Sequence, residues 1–477
     1  MLFNSFIFFI FLLVVVPLYY NLGVKHRKLF LLLSSYVFYG YWDYRFTILL
    51  AISTSVDFFI GRKLYAAENK NIKKRLLLLS VCVNLGILGL FKYYDFFIDS
   101  FSVFAGQFNQ NLDYLHLNII LPVGISFYTF QTMSYTIDIY REKLKPTNSI
   151  IDFAVFVSFF PQLVAGPIER ARNLLPQIAI NRLPSKQQIN SGIVLIVLGL
   201  FKKVLIGDTT GKIVDQVFSQ PELYKSPELL SALVLFSIQI YADFSGYSNI
   251  ARGTAKLLGF ELMKNFEQPY LSRNITEFWR RWHISLSSWL KDYLYITLGG
   301  NRKGNFITYL NLFITMLLGG LWHGASWNFV IWGGLHGLYL AIHKIILKKK
   351  KVELTDYVYN GFYSFSKYFL QVLLTYIIVL FAWLFFRSTD FDTSSYFIEK
   401  MIYWENSDLS VRFFKITFFF MVVTLLYDFF EYCTKQHSFI VLIRNKPLRI
   451  GILLAIFLVT LLYMFNTEPQ PFIYFQF

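Results

Sequence analysis

The sequence predicts an all-α polytopic membrane protein, and three observations carry that prediction. Of its 477 residues 55% are apolar and only 16% charged, where an ordinary soluble domain carries about a quarter charged residues. Apolar runs of spanning length recur along the whole chain. Basic residues are clumped between those runs rather than spread over a surface. With 53 Phe and 32 Tyr to keep from water, a soluble globular chain would lack the polar coat it needs. A disordered chain would not carry this hydrophobicity.

Residues 1–20 form the first run; it has neither a basic leader nor a small-residue cleavage site, so we read it as a retained helix. Further runs lie near 30–60, 76–98, 117–140, 150–168, 190–206, 229–250, 307–346, 362–386, 413–430 and 449–466. A spanning helix needs about 20 apolar residues, so the segments at 30–60 and 307–346 are long enough for two crossings each. We read about 11 crossings in all. The runs are apolar all round, not alternating as the strands of a membrane barrel would be. One integral membrane domain is expected over residues 1–477.

Charge sets the orientation. Lys25, His26, Arg27 and Lys28 follow the first run; Arg62, Lys63, Lys70, Lys73, Lys74 and Arg75 follow the third. Arg141, Lys143 and Lys145 form another cluster, and lysines 348–351 a further one. Between Lys92 and Arg141 there is no Lys or Arg. The positive-inside rule places 25–28, 62–75 and 141–148 in the cytoplasm, and 99–115 and the N-terminus outside. The net charge of +16 then belongs to loops facing anionic lipid and needs no nucleic-acid partner. Cys82 and Cys433 give no disulfide framework, and Cys82, inside an apolar run, reads as a small buried residue.

Polar groups within such a chain must be satisfied, so their placement is informative. In 121–131, Pro122 and Gly124 permit a kink and Gln131 needs a partner; helix packing through small residues is the simpler reading, lining of a tunnel the other. Asp243 ends an apolar run, with Ser245, Tyr247, Ser248 and Asn249 behind it. It would either orient an imidazole or cap a helix. Residues 273–302 hold three tryptophans among several charges, which suits an interfacial or re-entrant helix. At helical spacing Trp279, His283 and Ser287 share one face, and Arg280 and Lys291 another. His323 lies in an apolar run behind Gly319, Gly320 and Trp322, with Trp327 one turn on. An imidazole there is a functional candidate, and aromatics such as Trp322 and Trp327 would wall a channel. His336 and His343 follow, about 140° around from His323 if one helix continues. His283 and His323 lack the Cys or Glu company of a zinc site, so no metal is expected.

These residues resemble a family. Trp322-His323-Gly324, with Trp332-Gly-Gly-Leu-His-Gly337 behind it, is similar to the signature of membrane-bound O-acyltransferases. Glu277-Phe-Trp-Arg-Arg-Trp-His-Ile-Ser and Asp243-Phe-Ser-Gly-Tyr-Ser248 narrow the resemblance to the bacterial alginate and peptidoglycan O-acetylation branch. Phe159-Phe-Pro-Gln-Leu-Val-Ala-Gly-Pro167, Asn265-Phe-Glu-Gln-Pro-Tyr270, Trp383-Leu-Phe-Phe-Arg387 and Phe472-Ile-Tyr-Phe-Gln-Phe477 fit the same group. The resemblance implies a ring of about 11 helices, plus re-entrant or interfacial ones, around a central tunnel. It puts the catalytic histidines at His323 and His283.

It further implies transfer of an acetyl group from a cytoplasmic thioester, acetyl-CoA or another, with no tightly bound cofactor. The acceptor would be an extracytoplasmic polysaccharide, with an SGNH-type partner completing delivery, at a bacterial cytoplasmic membrane. Asp243, Ser245, Gln131, Trp322 and Trp327 are candidate tunnel lining. Arg280, Arg281 and Lys291 would contact coenzyme A phosphates or serve as interfacial anchors. D-alanyl transfer to teichoic acid and a proton-coupled transporter are the competing readings.

Overall fold

A computed structural model describes residues 1–106, 113–164, 166–180, 182–347 and 362–475, and among them every regular element is a helix. Eight helical segments of the described residues are long and apolar enough to cross a bilayer. They include Lys186–Ser219, Ser226–Leu257, Asn305–His323, Trp327–Ile346 and Ser364–Arg387. The sequence reading expects more because other apolar runs form helices that fall short. Phe6–Asn21 and Ile125–Tyr140 have 16 residues each, and Phe46–Ala66 carries Asp57, Arg62 and Lys63. The lysines at 348–351 lie outside the described residues.

Contacts divide the chain into two compact units, Met1–Ile196 with Ile250–Met263 and Val197–Asn249 with Lys264–Phe477. The division falls inside the helices Lys186–Leu200 and Ser226–Leu257, so no linker marks it in the sequence.

The first unit is stitched by hydroxyls and amides. Asp57 is fully buried; it accepts from Ser80 Oγ at 2.6 Å and from Asn84 Nδ2 at 2.7 Å. Asn84 Oδ1 in turn accepts from Ser53 and Thr132, both at 3.1 Å. Gln131 donates to the Phe156 carbonyl at 2.5 Å, which is the packing role of an interhelical hydrogen bond. Pro122 and Gly124 do not kink a helix. They precede one: Gly124 sits at φ +78° and Ile125–Tyr140 starts after it. A side chain on Gly124 would meet the Leu163 carbonyl at 2.7 Å, so the turn needs glycine twice over. Cys82 is exposed, not buried, because the helix Lys70–Leu88 is apolar beyond its packed stripe, of which only Ser80, Asn84 and Leu88 are buried.

The second unit is built on a tight helix pair, Asn305–His323 and Trp327–Leu347. Small residues let these two backbones touch: a Cβ on Gly320 would lie 2.1 Å from the Phe329 carbonyl, and one on Gly333 2.5 Å from that of Met316. Two π-helical stretches, Phe201–Asp208 and Leu290–Tyr295, widen the turn locally, a feature that often marks functional sites. The first turns the consecutive residues Lys202 and Lys203 inward, 4% and 1% exposed.

Candidate active site

The segment around His283 is not one helix. Asn274 caps the helix Ile275–Arg281 by accepting from the Glu277 amide at 2.9 Å, and a second helix, Ile284–Trp289, follows. His283 stands at the corner between them with φ +41°, a left-handed conformation that a residue with a side chain adopts at a cost. The surroundings hold it there. Ile284 N donates to the Asn265 carbonyl at 2.9 Å, and Ser287 N closes the next turn on the His283 carbonyl at 2.9 Å. Asn265 is itself anchored by donating to Ser248 Oγ at 3.0 Å. The helical face expected for Trp279, His283 and Ser287 therefore breaks at the corner, and the imidazole is turned fully into the interior, 0% exposed.

His323 arrives from another direction, as the last residue of the helix Asn305–His323. Its ring centroid lies 6.3 Å from that of His283 and 5.3 Å from that of Tyr474. Trp322, Trp332 and Phe386 close the remaining sides at 5.1, 5.0 and 5.3 Å. The chain leaves helical geometry at Gly324 before the next helix begins at Trp327. A helical angle between His323 and His336 thus has no meaning here: Trp332 packs on both rings, 4.8 Å from His336. His336 is fully buried and accepts from Trp279 Nε1 at 3.3 Å on its Nδ1. His343 is bonded to Thr276 Oγ1 at 2.8 Å.

Several buried polar atoms of this cluster lack a hydrogen-bond partner among the described residues. They are Trp282 Nε1, His283 Nε2, Trp332 Nε1, His336 Nε2 and the Tyr474 hydroxyl. Buried donors and acceptors are rarely left this way in a finished protein. Those of His283 and Tyr474 lie on rings that face His323, 6.3 and 5.3 Å from it, and are free to bond a polar group brought there. His283 lies between the spanning helices, and burial pushes its imidazole down to about 3, which keeps it neutral.

Comparison with known proteins shows the family of the chain. Residues 141–349 match the membrane-bound O-acyltransferase family. A "probable alginate O-acetylase" of Pseudomonas putida is 38% identical over the full length of both chains. The chain belongs to the membrane-bound O-acyltransferase family. A peptidoglycan O-acetyltransferase of Helicobacter pylori is 35% identical, covering 79% of this chain and 73% of its own. A teichoic acid D-alanyltransferase of Streptococcus thermophilus is 30% identical, covering 48% and 58%.

In this acyltransferase the other expected site residues have varied surroundings. Trp322 is buried against both imidazoles, 5.9 Å from His283. Trp327, expected to wall the channel, is 61% exposed, because the break after His323 turns the next helix's first residue outward. Asp243 neither touches an imidazole nor caps a helix: it is buried in mid-helix, 2.7 Å from Lys203 Nζ and 2.7 Å from Ile473 N. Ser245 is buried and its hydroxyl has no partner among the described residues. Gln131 belongs to the first unit.

Arg281 is committed to Glu277 at 2.9 Å and to the Glu267 carbonyl at 3.2 Å, whereas Arg280 and Lys291 are exposed. Tyr474 is the residue that sequence reasoning missed. In the sequence its segment figures only as part of a matching motif, yet its ring faces both histidines, 6.4 Å from His283. The one available signal was a dense aromatic string, 472–477, just after a spanning run.

Proposed function

We propose that this acyltransferase moves an acetyl or other short acyl group from a cytoplasmic thioester, acetyl-CoA being the simplest, to hydroxyls of an extracytoplasmic polysaccharide. In this reading the polysaccharide is alginate-like or peptidoglycan, as the names of the relatives suggest. The chain would sit in a bacterial cytoplasmic membrane with its N-terminus outside, and an SGNH-type partner would complete delivery. D-alanyl transfer is the weaker reading, since the relative named for it aligns with only 48% of this chain.

The observation that carries the proposal is the buried pairing of His283 with His323. Transfer from a thioester to a hydroxyl forms a C–O bond, breaks a C–S bond and moves the hydroxyl proton to the departing thiolate. His323 would take that proton as the oxygen attacks and return it to sulfur, so no net proton is consumed. His283, neutral and with Nε2 unpartnered, would donate to the carbonyl oxygen as negative charge develops on it. The aromatic shell would exclude water, which is the competing nucleophile.

The test is acetyl transfer from a donor labelled in its acetyl group, in membranes holding the full chain and its partner. Label should reach glycan with the natural chain and fall to background with His323→Ala. Undiminished transfer by His323→Ala would overturn the assignment. Preference for a labelled D-alanyl carrier would select the other acyl group, and transport of an unmodified solute without acyl transfer would favour a carrier.

A further inference from the structure

Lys203 and Asp243 form an arrangement that the transfer chemistry does not use. The Lys203 ammonium is buried between two carboxylates, 2.6 Å from Asp208 and 2.7 Å from Asp243. It also donates to the Pro471 carbonyl at 3.3 Å. The second oxygen of Asp243 accepts from the Ile473 amide at 2.7 Å. Both partners thus grip the segment 471–473 by its backbone. Beyond the grip, Phe472 is fully buried against Tyr247 and Phe244, at 4.6 and 5.3 Å. Tyr474 packs on Phe244 at 4.7 Å and faces both imidazoles. The site therefore has one wall that is tied on, not built from a spanning helix.

We propose that Lys203 and Asp243 are positioning residues: their ion pair clamps the backbone of 471–473 and so holds Tyr474 against His283 and His323. The inference rests on the acyl-transfer reading for its activity consequence and on geometry for the clamp. The sequence is suited to the task. The π-helical stretch Phe201–Asp208 brings Lys203 and Asp208 to one side, and Gly207 and Gly246 let Asp243 and Lys203 approach. A Cβ on Gly207 would lie 3.1 Å from Asp243 N, and one on Gly246 2.8 Å from Lys203 N. The cavity beside the pair, lined by Lys203, Asp208, Gln239, Asp243 and Gln470, holds only about 10 Å³. That is room for about one water, so the charges are little screened. An ion pair in such a place keeps its geometry, which is the property a positioning device needs.

The experiment uses the full chain in nanodiscs, with three readouts: hydrogen–deuterium exchange of the peptide containing Ile473, thermal unfolding, and steady-state acetyl transfer from labelled acetyl-CoA. Asp243→Ala should speed exchange at Ile473 by roughly 10- to 100-fold, the equivalent of a hydrogen bond to a charged group. It should also lower kcat by about 100-fold, the loss that a misplacement of about 1 Å brings. The thioester KM should stay within about threefold, since a uniform loss of binding would raise it instead. Asp243→Asn, which keeps one acceptor, should fall between Asp243→Ala and the natural chain.

Because removing a buried carboxylate beside Lys203 endangers folding, Ile473→Pro is the second variant. It removes the amide donor and trims the buried Ile473 side chain but leaves the Lys203–Asp243 pair intact, and should cut kcat similarly while lowering the unfolding midpoint less than Asp243→Ala does. Natural turnover in Ile473→Pro, or undiminished protection of Ile473 in Asp243→Ala, would overturn the clamp. With the SGNH-type partner and glycan acceptor supplied to the nanodiscs, absence of acetyl transfer by the natural chain would sink the proposed function, while the exchange arm still judges the clamp.

Discussion

The imidazole of His283 and that of His323 stand 6.3 Å apart, one at a left-handed corner and the other on the last residue of a helix. His283 is placed by no helical repeat, and His323 closes one. Each sits where a helix stops, so its ring direction is set by its neighbours. His323→Ala should lower acetyl transfer by at least about 100-fold, the range in which a positioned base contributes. His283→Asn keeps a residue type that tolerates the left-handed corner and should lower kcat with little change in donor KM. Both are measured by label transfer at saturating and sub-saturating thioester. Activity retained by both would remove the pair from the chemistry.

Acid should unfold the protein partly through His283. Its folded pKa of about 3 lies below the ordinary 6.5 because burial disfavours the charged ring. Between those values the unfolded chain takes up a proton that the folded chain refuses. Stability from this group is therefore fully present above about pH 6.5 and is lost as pH falls toward 3, at up to about 1.4 kcal/mol per pH unit. Unfolding midpoints from pH 7.5 to 5 should show this slope in the natural chain and a shallower one in His283→Asn. Equal slopes would contradict it.

Two neighbouring glycines should respond differently to one methyl group. Gly333→Ala would put a Cβ 2.5 Å from the Met316 carbonyl, whereas at Gly334 the nearest atom is 3.8 Å away, on the Phe313 ring. The helix backbones must part in the first case, and Trp332, the ring next to His323, moves with them. Gly333→Ala should lose folded yield or most activity; Gly334→Ala should be near natural, gaining from the better helix propensity of Ala. Size-exclusion yield and transfer rate decide it.

Glu277 binds two arginines, Arg273 and Arg281, each at 2.9 Å and each four residues away. The carboxylate is 1% exposed. Glu277→Ala leaves both guanidinium groups without it and should destabilise by about 3 kcal/mol, as breaking a buried pair does. Chemical denaturation of the purified protein measures this. A change under about 1 kcal/mol would show that the arginines find other partners.

Hydropathy told helix from strand and gave a run at 307–346 long enough for the pair Asn305–His323 and Trp327–Leu347, because burial in lipid writes itself into composition, but it did not mark the turn between them. The two histidines were also legible, since imidazole is conspicuous in an apolar run. What stayed hidden depended on where helices end. The corner at His283 follows from Asn265 and Ser248, bonds across the fold that no spacing rule encodes. Trp327 faced out for the same reason: the helical angle was carried through a break. Asp243 was singled out for its charge. Its partners Lys203 and Ile473 lie 40 and 230 residues off along the chain, a pairing that only the folded molecule reveals.

The position of Tyr474 has a consequence for biosynthesis. A ribosome that has translated as far as residue 465, the end of the helix Lys446–Phe465, has already made both imidazoles and every spanning helix described here. The wall formed by Phe472 and Tyr474 is still to come. Both imidazoles are thus made before the side chains that complete their surroundings. A chain cut before residue 472 would keep both imidazoles and lose the ring that faces them.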